Sequence, residues 1–311
     1  MIIKNAIKSG FKMNIKDLQY YHYLVETKNF SRAAEFFGVS QPTITLSLKR
    51  LEEELELKLL VRDQSHKLLK PTEAGLKFDL HAAKILNELT VAQKELARLK
   101  DEKISLGLPP IIGNRYFPKL MPAFIENNLM NSLKITEEGS QSLLKMLLNG
   151  SLDFALLGSI EPISNHDLLV DVFGRSTLKI IVSKHHRLAR KGKISFAELK
   201  NEPFIIQDEG FVHGKALKEM AHRARFRPKV IYKTSDVNLL KTMVKENLGI
   251  GYLTDLAVSD SDQLAMLELT DINPPEFFLS LVTRTDSALT KKQQKLLEIL
   301  REQINQNHCQ N

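Results

Sequence analysis

Residues 30–55 constrain the fold most strongly, because they predict two short amphipathic helices joined by a tight corner at Gly38. We expect Ser31 to cap the first helix and Ser40 to cap the second, where Pro42 falls in the first turn. In the second helix an apolar stripe recurs at spacings of four, three and four residues, as on a helix face turned towards a core. The stripe consists of Ile44, Leu48, Leu51 and Leu55.

The opposite face of the second helix carries short polar and cationic side chains. Hydroxyl and amide groups can read base edges in the major groove, an aliphatic group can contact a thymine methyl, and cations can bind phosphates. This face therefore predicts a DNA-recognition helix, although an ordinary amphipathic hairpin with a solvated face has the same pattern. The residues expected to face the groove are Ser40, Gln41, Pro42, Thr43, Thr45 and Leu46. Lys49 and Arg50 on this face are expected to bind phosphates, together with Ser31, Arg32 and Arg62 from the flanking segments.

Further sequence blocks on both sides of these helices resemble the N-terminal segment of LysR-type transcriptional regulators, a large bacterial family. The resemblance covers all but the extreme N-terminus of the chain. It implies a winged helix-turn-helix, then a long linker helix, then an α/β effector domain with two subdomains of the periplasmic-binding-protein type. The matching blocks are Leu18–Val25, Phe30–Ala34, Val39–Ile44, Leu48–Glu52, Leu59–Arg62 and Thr72–Gly75.

A hairpin of Leu59–Arg62 and Lys67–Lys70 would form the wing of this domain. The segment from Arg62 to Gly75 is slightly longer than the commonest family pattern. In this respect it resembles the malolactic-fermentation activators of lactic acid bacteria. The candidate DNA contacts of the wing are Arg62, His66 and Lys67, and a solvated loop is the alternative for each of them.

Residues 72–100 predict one long helix that Thr72 caps at its start. Its apolar residues alternate at spacings of four and three, which is the pattern of a coiled-coil seam. Such a seam needs a partner, and the simplest partner is a second copy of the chain, although packing against its own domain would also cover it. We therefore expect a homodimer that binds DNA with two DNA-binding heads, one helix-turn-helix domain from each copy. The seam consists of Phe78, Ala82, Ile85, Leu89, Ala92, Leu96 and Leu99.

From Ile104 onward, apolar strand candidates alternate with helical periodicities, which predicts mostly parallel sheets flanked by helices. Two of the expected strands are Leu168–Phe173 and Leu178–Val182. Together with the resemblance, this pattern divides the chain into four parts. They are an N-terminal extension (1–13), a winged helix-turn-helix domain (14–71), a linker helix (72–100) and an effector domain (101–311). Within the effector domain, residues 101–160 and 265–311 would form the first subdomain and residues 161–264 the second.

The resemblance places a ligand in the cleft between these subdomains, where helix N-termini can hold an anion. Three turns have the required form, at Gly107–Asn114, Glu138–Gln141 and Ser235–Val237. In the third of these turns, the hydroxyl of Ser235 would cap the following helix. Pro109-Pro110 offers neither a hydroxyl nor N–H donors, so a carboxylate effector is less supported here than is usual in the family. The candidate effector-binding residues are Ile111, Ile112, Asn114, Ser140, Gln141, Gln207, His213 and Ser235, and a structural cap without a ligand is the alternative.

Composition limits the other classes of function. The net charge of +7 suits a polyanionic partner. Cys309 is the single cysteine, so one chain can form neither a disulfide nor a cysteine-based metal site. The sequence has no apolar run of membrane-spanning length and no secretion signal, so we expect a cytoplasmic protein. We also find no nucleophile–base pattern, and we expect no enzyme, no metal and no cofactor other than an unknown small-molecule effector.

The resemblance finally implies a homodimer, associating into a tetramer, that binds promoter DNA and contacts RNA polymerase. A small molecule in the effector domain would change the geometry between the two DNA-binding heads. A solute-binding protein of the periplasmic type is the alternative, because it would share the α/β part. That class, however, should carry a secretion signal and would have no use for the first 100 residues.

Overall fold

The computed structural model of the 311-residue chain describes residues 13–62, 69–208, 210–285 and 287–308. Side chains are described up to residue 303, except that of Arg62. The chain divides into two compact units, the first ending at Gln93 and the second beginning at Lys94. Within the described ranges, no helix is long and apolar enough to cross a membrane.

In the first unit, the described residues start with three helices, α1 (Ile15–Thr27), α2 (Phe30–Phe37) and α3 (Gln41–Leu55). Gly38 ends α2 with a φ of 63°, in the left-handed region that favours glycine, so the predicted corner is confirmed. Ser40 caps α3 as predicted, since its Oγ accepts a hydrogen bond from the N–H of Thr43 at 3.3 Å.

The predicted cap of α2 is wrong. The helix starts at Phe30, so the cap position falls on Asn29, whose side chain accepts a hydrogen bond from the N–H of Arg32 at 3.0 Å. Ser31 lies inside the first turn, where its hydroxyl cannot take that role.

The core of the first unit forms where the apolar faces of these helices meet. Ile44 and Leu51 of α3 are fully buried, together with Leu24 of α1, so the predicted stripe is turned inwards. Tyr21 donates a hydrogen bond from its hydroxyl to the carbonyl of Gly75 at 2.8 Å. This bond ties α1 to the start of the following long helix.

The wing and the linker helix follow. Strand β1 (Leu60–Arg62) pairs antiparallel with β2 (Leu69–Pro71), and the predicted contacts His66 and Lys67 lie outside the described residues. Helix α4 (Glu73–Asp101) has 29 residues and is therefore about 43 Å long. The Oγ1 of Thr72 accepts a hydrogen bond from the N–H of Gly75 at 2.9 Å, which confirms the predicted cap.

The second unit is a mixed α/β domain with one large sheet and one small sheet. Its first six strands are β3 (Ile104–Gly107), β4 (Leu133–Thr136), β5 (Phe154–Ser159), β6 (Leu168–Ser183), β7 (Lys193–Ile194) and β8 (Pro203–Gln207). Its last four strands are β9 (Lys229–Thr234), β10 (Gly251–Thr254), β11 (Leu264–Leu269) and β12 (Glu276–Arg284). The large sheet has the order β4-β3-β5-β12-β6-β11-β7, with β10 also paired to β6, and the small sheet consists of β8 and β9. The helices are α5 (Pro110–Glu126), α6 (Ser140–Leu148), α7 (Val212–Arg223), α8 (Val237–Lys245) and α9 (Lys291–His308).

The prediction of mostly parallel sheets is confirmed for the small sheet, where β8 and β9 are parallel, but it is wrong for the large sheet, which is mixed. Strand β3 is parallel to β4 and β5, but β12 runs antiparallel to both β5 and β6. The two strands predicted at Leu168–Phe173 and Leu178–Val182 are one strand of 16 residues, β6. Its first part pairs with β12 and its last part with β10 and β11, so β6 joins two parts of the domain.

Candidate DNA-binding surface and effector cavities

The polar face of α3 is exposed over its whole length, as the sequence predicts for a recognition helix. Leu46 lies near its centre with 63% of its surface exposed. The exposed residues of this face are Gln41, Pro42, Thr43, Thr45, Leu46, Lys49 and Arg50. They form one continuous surface that combines hydroxyl, amide, aliphatic and cationic groups, and a major groove can be read with such groups.

Local hydrogen bonds orient the side chains at the start of this face. The hydroxyl of Ser31 donates to Oε1 of Gln41 at 3.3 Å, across the corner between α2 and α3. The hydroxyl of Thr45 donates to the carbonyl of Gln41 at 3.1 Å. The bond from Thr45 fixes only the backbone of Gln41, whereas the bond from Ser31 contacts the side-chain amide through its oxygen and leaves its amino group to donate.

Asp17 of α1 is the residue that sequence reasoning missed in this unit. Its carboxylate is fully buried and accepts hydrogen bonds from the Ser47 hydroxyl at 2.6 Å, the Asn14 N–H at 3.1 Å and Nε of Arg50 at 3.1 Å. A second guanidinium nitrogen of Arg50 also binds it. Burial alone would raise the pKa of Asp17, but the hydrogen bonds from Arg50, Ser47 and Asn14 outweigh burial and hold the pKa below its ordinary value.

This contact changes the role we assign to Arg50. One edge of its guanidinium is bound to a buried carboxylate on α1, so the side chain anchors the recognition helix to the first helix. Lys49 differs, because it is 66% exposed and its ion pair with Glu53 at 3.4 Å is equally exposed. Of these two neighbouring cations, Lys49 is thus the more exposed, and Arg50 has one edge of its guanidinium engaged by Asp17.

In the second unit, one N–H donor of the predicted anion site at the start of α6 is engaged by a backbone carbonyl. The N–H of Gln141 donates to the carbonyl oxygen of Gly210 at 3.2 Å. A Cβ on Gly139 would lie 2.3 Å from that oxygen, so the two segments approach this closely only because residue 139 is glycine. Gly210 itself has a φ of 103°, in the region that favours glycine.

Two predicted effector-binding residues, His213 and Gln207, are buried polar side chains without partners. Neither ring nitrogen of His213 and neither amide atom of Gln207 has a hydrogen-bond partner within the described residues. The ring of His213 stacks on Phe277 with 5.4 Å between centroids. Burial lowers the pKa of His213 to about 3, so the imidazole is neutral at physiological pH.

Three cavities are lined by predicted effector-binding residues. A small cavity of about 10 Å³ is lined by Ile111, Ile112, Ser140 and His213, among others. An open cavity of about 260 Å³ is lined by Ser140 and Gln141 and extends to Lys215 of α7. Asn114 lies in a third cavity of about 230 Å³, beside Arg115 and Lys241. The predicted effector-binding residues therefore do not line one common cavity.

Ser235 and Gln207 line none of these three cavities. The prediction that a hydroxyl caps α8 is also wrong. Asp236 caps that helix, because its carboxylate accepts hydrogen bonds from the N–H groups of Asn238 at 2.8 Å and Leu239 at 3.2 Å. A carboxylate at this position makes the start of α8 unfavourable for an anionic ligand.

Comparison with known proteins gives the same two-part organisation. Residues 15–76 match the bacterial regulatory helix-turn-helix protein of the lysR family, and residues 97–305 match the LysR substrate binding domain. The malolactic fermentation system transcriptional activator of Lactococcus lactis subsp. lactis is 31% identical over 291 residues, which cover 93% of this chain and 98% of that protein. The resemblance to malolactic-fermentation activators is thereby confirmed.

Solved structures show the fold. An OxyR cysteine mutant of Corynebacterium glutamicum superposes with a TM-score of 0.53 at 18% identity, covering 96% of this chain and 94% of that one. The effector binding domain of QuiR in complex with shikimate superposes with a TM-score of 0.56 at 14% identity, covering 67% of this chain and 98% of that one. These likenesses confirm the predicted fold, a winged helix-turn-helix followed by a linker helix and a two-subdomain effector domain.

Proposed function

The chain belongs to the LysR family of bacterial transcriptional regulators, and from this membership we propose how its own residues recognise DNA, assemble and respond to a small molecule. Residues 15–76 belong to the DNA-binding part and residues 97–305 to the effector-binding part. The protein is a DNA-binding transcriptional regulator. We propose no catalytic activity and no cofactor beyond the effector. We further propose that the protein acts in the cytoplasm.

We propose that α3 lies in the major groove with Gln41, Thr45 and Leu46 towards the bases. The observation that carries this proposal is the exposed polar face of α3 on a helix whose other face is fixed by buried Ile44 and Leu51. Lys49, Arg32 and Ser31 would contact phosphates from the rim of this face. The wing residues Arg62, His66 and Lys67 remain candidates for further phosphate contacts.

Competition binding tests the proposed base reading. The Gln41→Ala variant should lose about 5- to 150-fold of the ratio between specific and non-specific affinity, because a good bidentate base contact discriminates by about 1–3 kcal/mol. The Lys49→Gln variant is the matched control, since it should weaken specific and non-specific DNA to the same extent. Equal weakening of both DNAs by Gln41→Ala would contradict the assignment of Gln41 as a base reader.

We propose that the protein is a homodimer joined through α4. The second half of the predicted seam is exposed on the single chain, and Leu96 exposes 62% of its surface. The other exposed residues of this stripe are Ile85, Leu89, Ala92 and Leu99. Isolated exposed leucines are ordinary, but a row at coiled-coil spacing is typical of an unpaired helix–helix interface.

The edge strand β9 is our candidate for a second association surface, which would turn dimers into a tetramer. Val230, Ile231 and Tyr232 are all exposed there, on a strand that pairs only with β8 within the described residues. An exposed apolar edge strand is a site for pairing with another chain. Such an assembly would present several DNA-binding heads and a surface for RNA polymerase.

We propose that a small molecule binds in the effector domain and changes the geometry between the heads. The fold shared with the shikimate-bound QuiR domain supports a small ligand in this part of the chain. Within the chain itself, the buried hydroxyl oxygen of Ser159 in the cavity of about 260 Å³ supports the same proposal, because an unpartnered buried polar group is costly and a ligand can supply its partner.

A further inference from the structure

We propose that the effector is an uncharged molecule with a hydroxyl or carbonyl group and a compact apolar body, bound in the cavity between Ser140 and Lys215. This inference rests on the proposed effector function of residues 97–305. The cavity has a volume of about 260 Å³, just below the range of about 300–1,000 Å³ that is usual for ligand pockets, and it therefore selects a small ligand.

The walls of this cavity are mainly apolar. Its aliphatic side chains are Leu144, Leu157, Ile160, Ile163 and Val212. Ser159 contributes a hydroxyl whose oxygen is buried and has no hydrogen-bond partner within the described residues. The Oγ of Ser140 accepts a hydrogen bond from the N–H of Gly158 at 3.0 Å, and this leaves its hydroxyl hydrogen for a ligand. The wall thus offers two hydroxyl groups against an apolar surface.

The charges at this cavity neutralise each other. Lys215 and Glu161 are its two charged residues, and they form an ion pair at 2.8 Å. Both partners of this pair are more than half exposed, so the pair offers little to a charge inside the cavity, and an ionised ligand on the apolar wall would lack a buried counter-ion, which is costly. An uncharged ligand leaves the ion pair intact.

The neighbouring groups also favour an uncharged ligand. The N–H of Gln141, which would attract an anion, already donates to the carbonyl of Gly210. His213 lines the small cavity that shares Ser140 and Val212 with the larger one, and its neutral imidazole provides no positive charge. Pro109 and Pro110 in the same wall have no N–H to donate. Hydrogen-bond donors and acceptors are present, but no free cation lies among the described residues of these walls.

Thermal unfolding of the full-length protein with matched probes tests the inference. Cyclohexanemethanol, cyclohexanecarboxamide and cyclohexanecarboxylate share one apolar ring and differ in the polar group. The alcohol and the amide should raise the Tm at millimolar concentration, because a ligand that binds only the folded state stabilises it, and the carboxylate should not. The Ser159→Ala variant should lose most of the shift, whereas Ser164→Ala, at the exposed rim, should retain it.

A larger shift with the carboxylate would overturn the inference, and so would the absence of a shift with all three probes. A shift that Ser159→Ala leaves unchanged would place the ligand elsewhere and would overturn it too. Binding of selected promoter fragments by the same preparation is measured in parallel. Loss of sequence-specific DNA binding would refute the proposed function, whereas intact DNA binding without the expected shifts would refute only the ligand class.

A second inference comes from the two ends of α6. Ser140 at its start lines the cavities, while the residues after its end are held by the last turns of α4. Nζ of Lys94 donates to the carbonyl and to Oδ1 of Asn149, both at 3.1 Å, and to the Ser151 hydroxyl at 2.8 Å. Arg98, one turn further along α4, donates to the carbonyl of Gly150.

We infer that α6 carries a displacement at the cavity to the linker helix through Lys94 and Arg98. The helix has 9 residues, so it is a rigid element of about 13 Å that starts at the cavity and ends beside α4. Arg98 also forms an ion pair at 3.0 Å with the buried Asp153, the residue directly before β5, which fixes α4 to the segment that follows α6. Coupling of this kind requires a physical element that both sites contact, and α6 is such an element.

A double-mutant cycle in the full chain tests this coupling without an effector. Gly139→Ala should separate residue 139 from Gly210, since the added Cβ would lie 2.3 Å from the carbonyl oxygen, and so displace the start of α6. We expect the affinity for a promoter fragment to change by about 5-fold or more. In the Lys94→Met background the same substitution should change the affinity less than about twofold. Equal changes in both backgrounds, or no change with Gly139→Ala alone, would overturn the inference.

Discussion

The Arg50→Gln substitution removes the guanidinium that binds the buried carboxylate of Asp17. In the variant the carboxylate keeps the hydroxyl of Ser47 at 2.6 Å and the N–H of Asn14 at 3.1 Å, but it loses both bonds to Arg50. A buried negative charge then has only neutral donors. Both the stability of the unit and the position of α3 on α1 should be affected.

The magnitude follows from burial at the two ends of the pair. Breaking a fully buried ion pair costs about 3–5 kcal/mol, and a hydrogen bond to a charged group contributes about 1.5–3 kcal/mol. Because Arg50 is 45% exposed, water can approach the carboxylate after the substitution. The cost should therefore be that of a lost hydrogen bond to a charged group and not that of a fully buried ion pair. We expect the free energy of unfolding of the DNA-binding unit to fall by about 2 kcal/mol.

Lys49→Gln is the matched control, since it removes a neighbouring cation that is 66% exposed. Its exposed ion pair with Glu53 contributes about 0.5 kcal/mol at most, so stability should hardly change. A lost phosphate contact should instead reduce the slope of log K against log salt concentration by about 0.9. For Arg50→Gln we expect less than half of that reduction in slope.

Native-state hydrogen exchange of α1 and α3 in the full chain measures the loss of stability, and titration of labelled promoter DNA at several salt concentrations measures the slope. The reasoning is refuted if Arg50→Gln reduces the slope by about 0.9 while the exchange protection of α1 and α3 stays the same. Arg50 would then be a phosphate contact and its bond to Asp17 incidental.

Three further predictions concern acid stability, close packing and assembly. Because the pKa of Asp17 is held below its ordinary value, its contribution to stability is present at neutral pH and is lost as the pH falls below about 4. Asp17→Asn should therefore reduce the acid dependence of hydrogen exchange in α1; an unchanged pH profile would contradict this. Gly75→Ala should lower the Tm, because a Cβ there would lie 2.1 Å from the carbonyl oxygen of Leu59; a Tm equal to that of the parent protein would contradict the packing. Leu96→Glu should shift sedimentation towards the monomer, and an unchanged dimer would refute the α4 interface.

The local features of the DNA-binding unit could be predicted because they depend on neighbours in sequence. Gly38, Ser40 and the stripe from Ile44 to Leu55 follow from capping chemistry and helical periodicity. The pairing of Asp17 with Arg50 could not, because these residues are 33 positions apart and periodicity gives only the face on which a side chain lies. An acidic residue at the start of α1 was the single signal available, and it also has a local explanation as part of the Asn14 capping box.

The effector domain was harder to predict because its strands do not follow chain order. A Gly-Arg-Ser-Thr segment in the middle of β6 suggests a break between two strands, yet pairing with β12 carries the strand through it. The approach of Gly139 to Gly210 depends on the tertiary fold, so neither glycine indicated that the start of α6 would be occupied. At α8, Ser235 and Asp236 are both good caps, and only the backbone geometry decides between them.

Selection of genomic DNA fragments by the purified full-length protein at near-physiological salt tests the central claim most directly. The proposed function predicts enrichment of a few intergenic fragments that share an interrupted palindrome, because a dimer with two recognition helices binds two related half-sites. The enriched fragments should lose this preference with the Gln41→Ala variant. Salt-sensitive capture of DNA without sequence enrichment would contradict the claim, since a basic surface alone binds in that way.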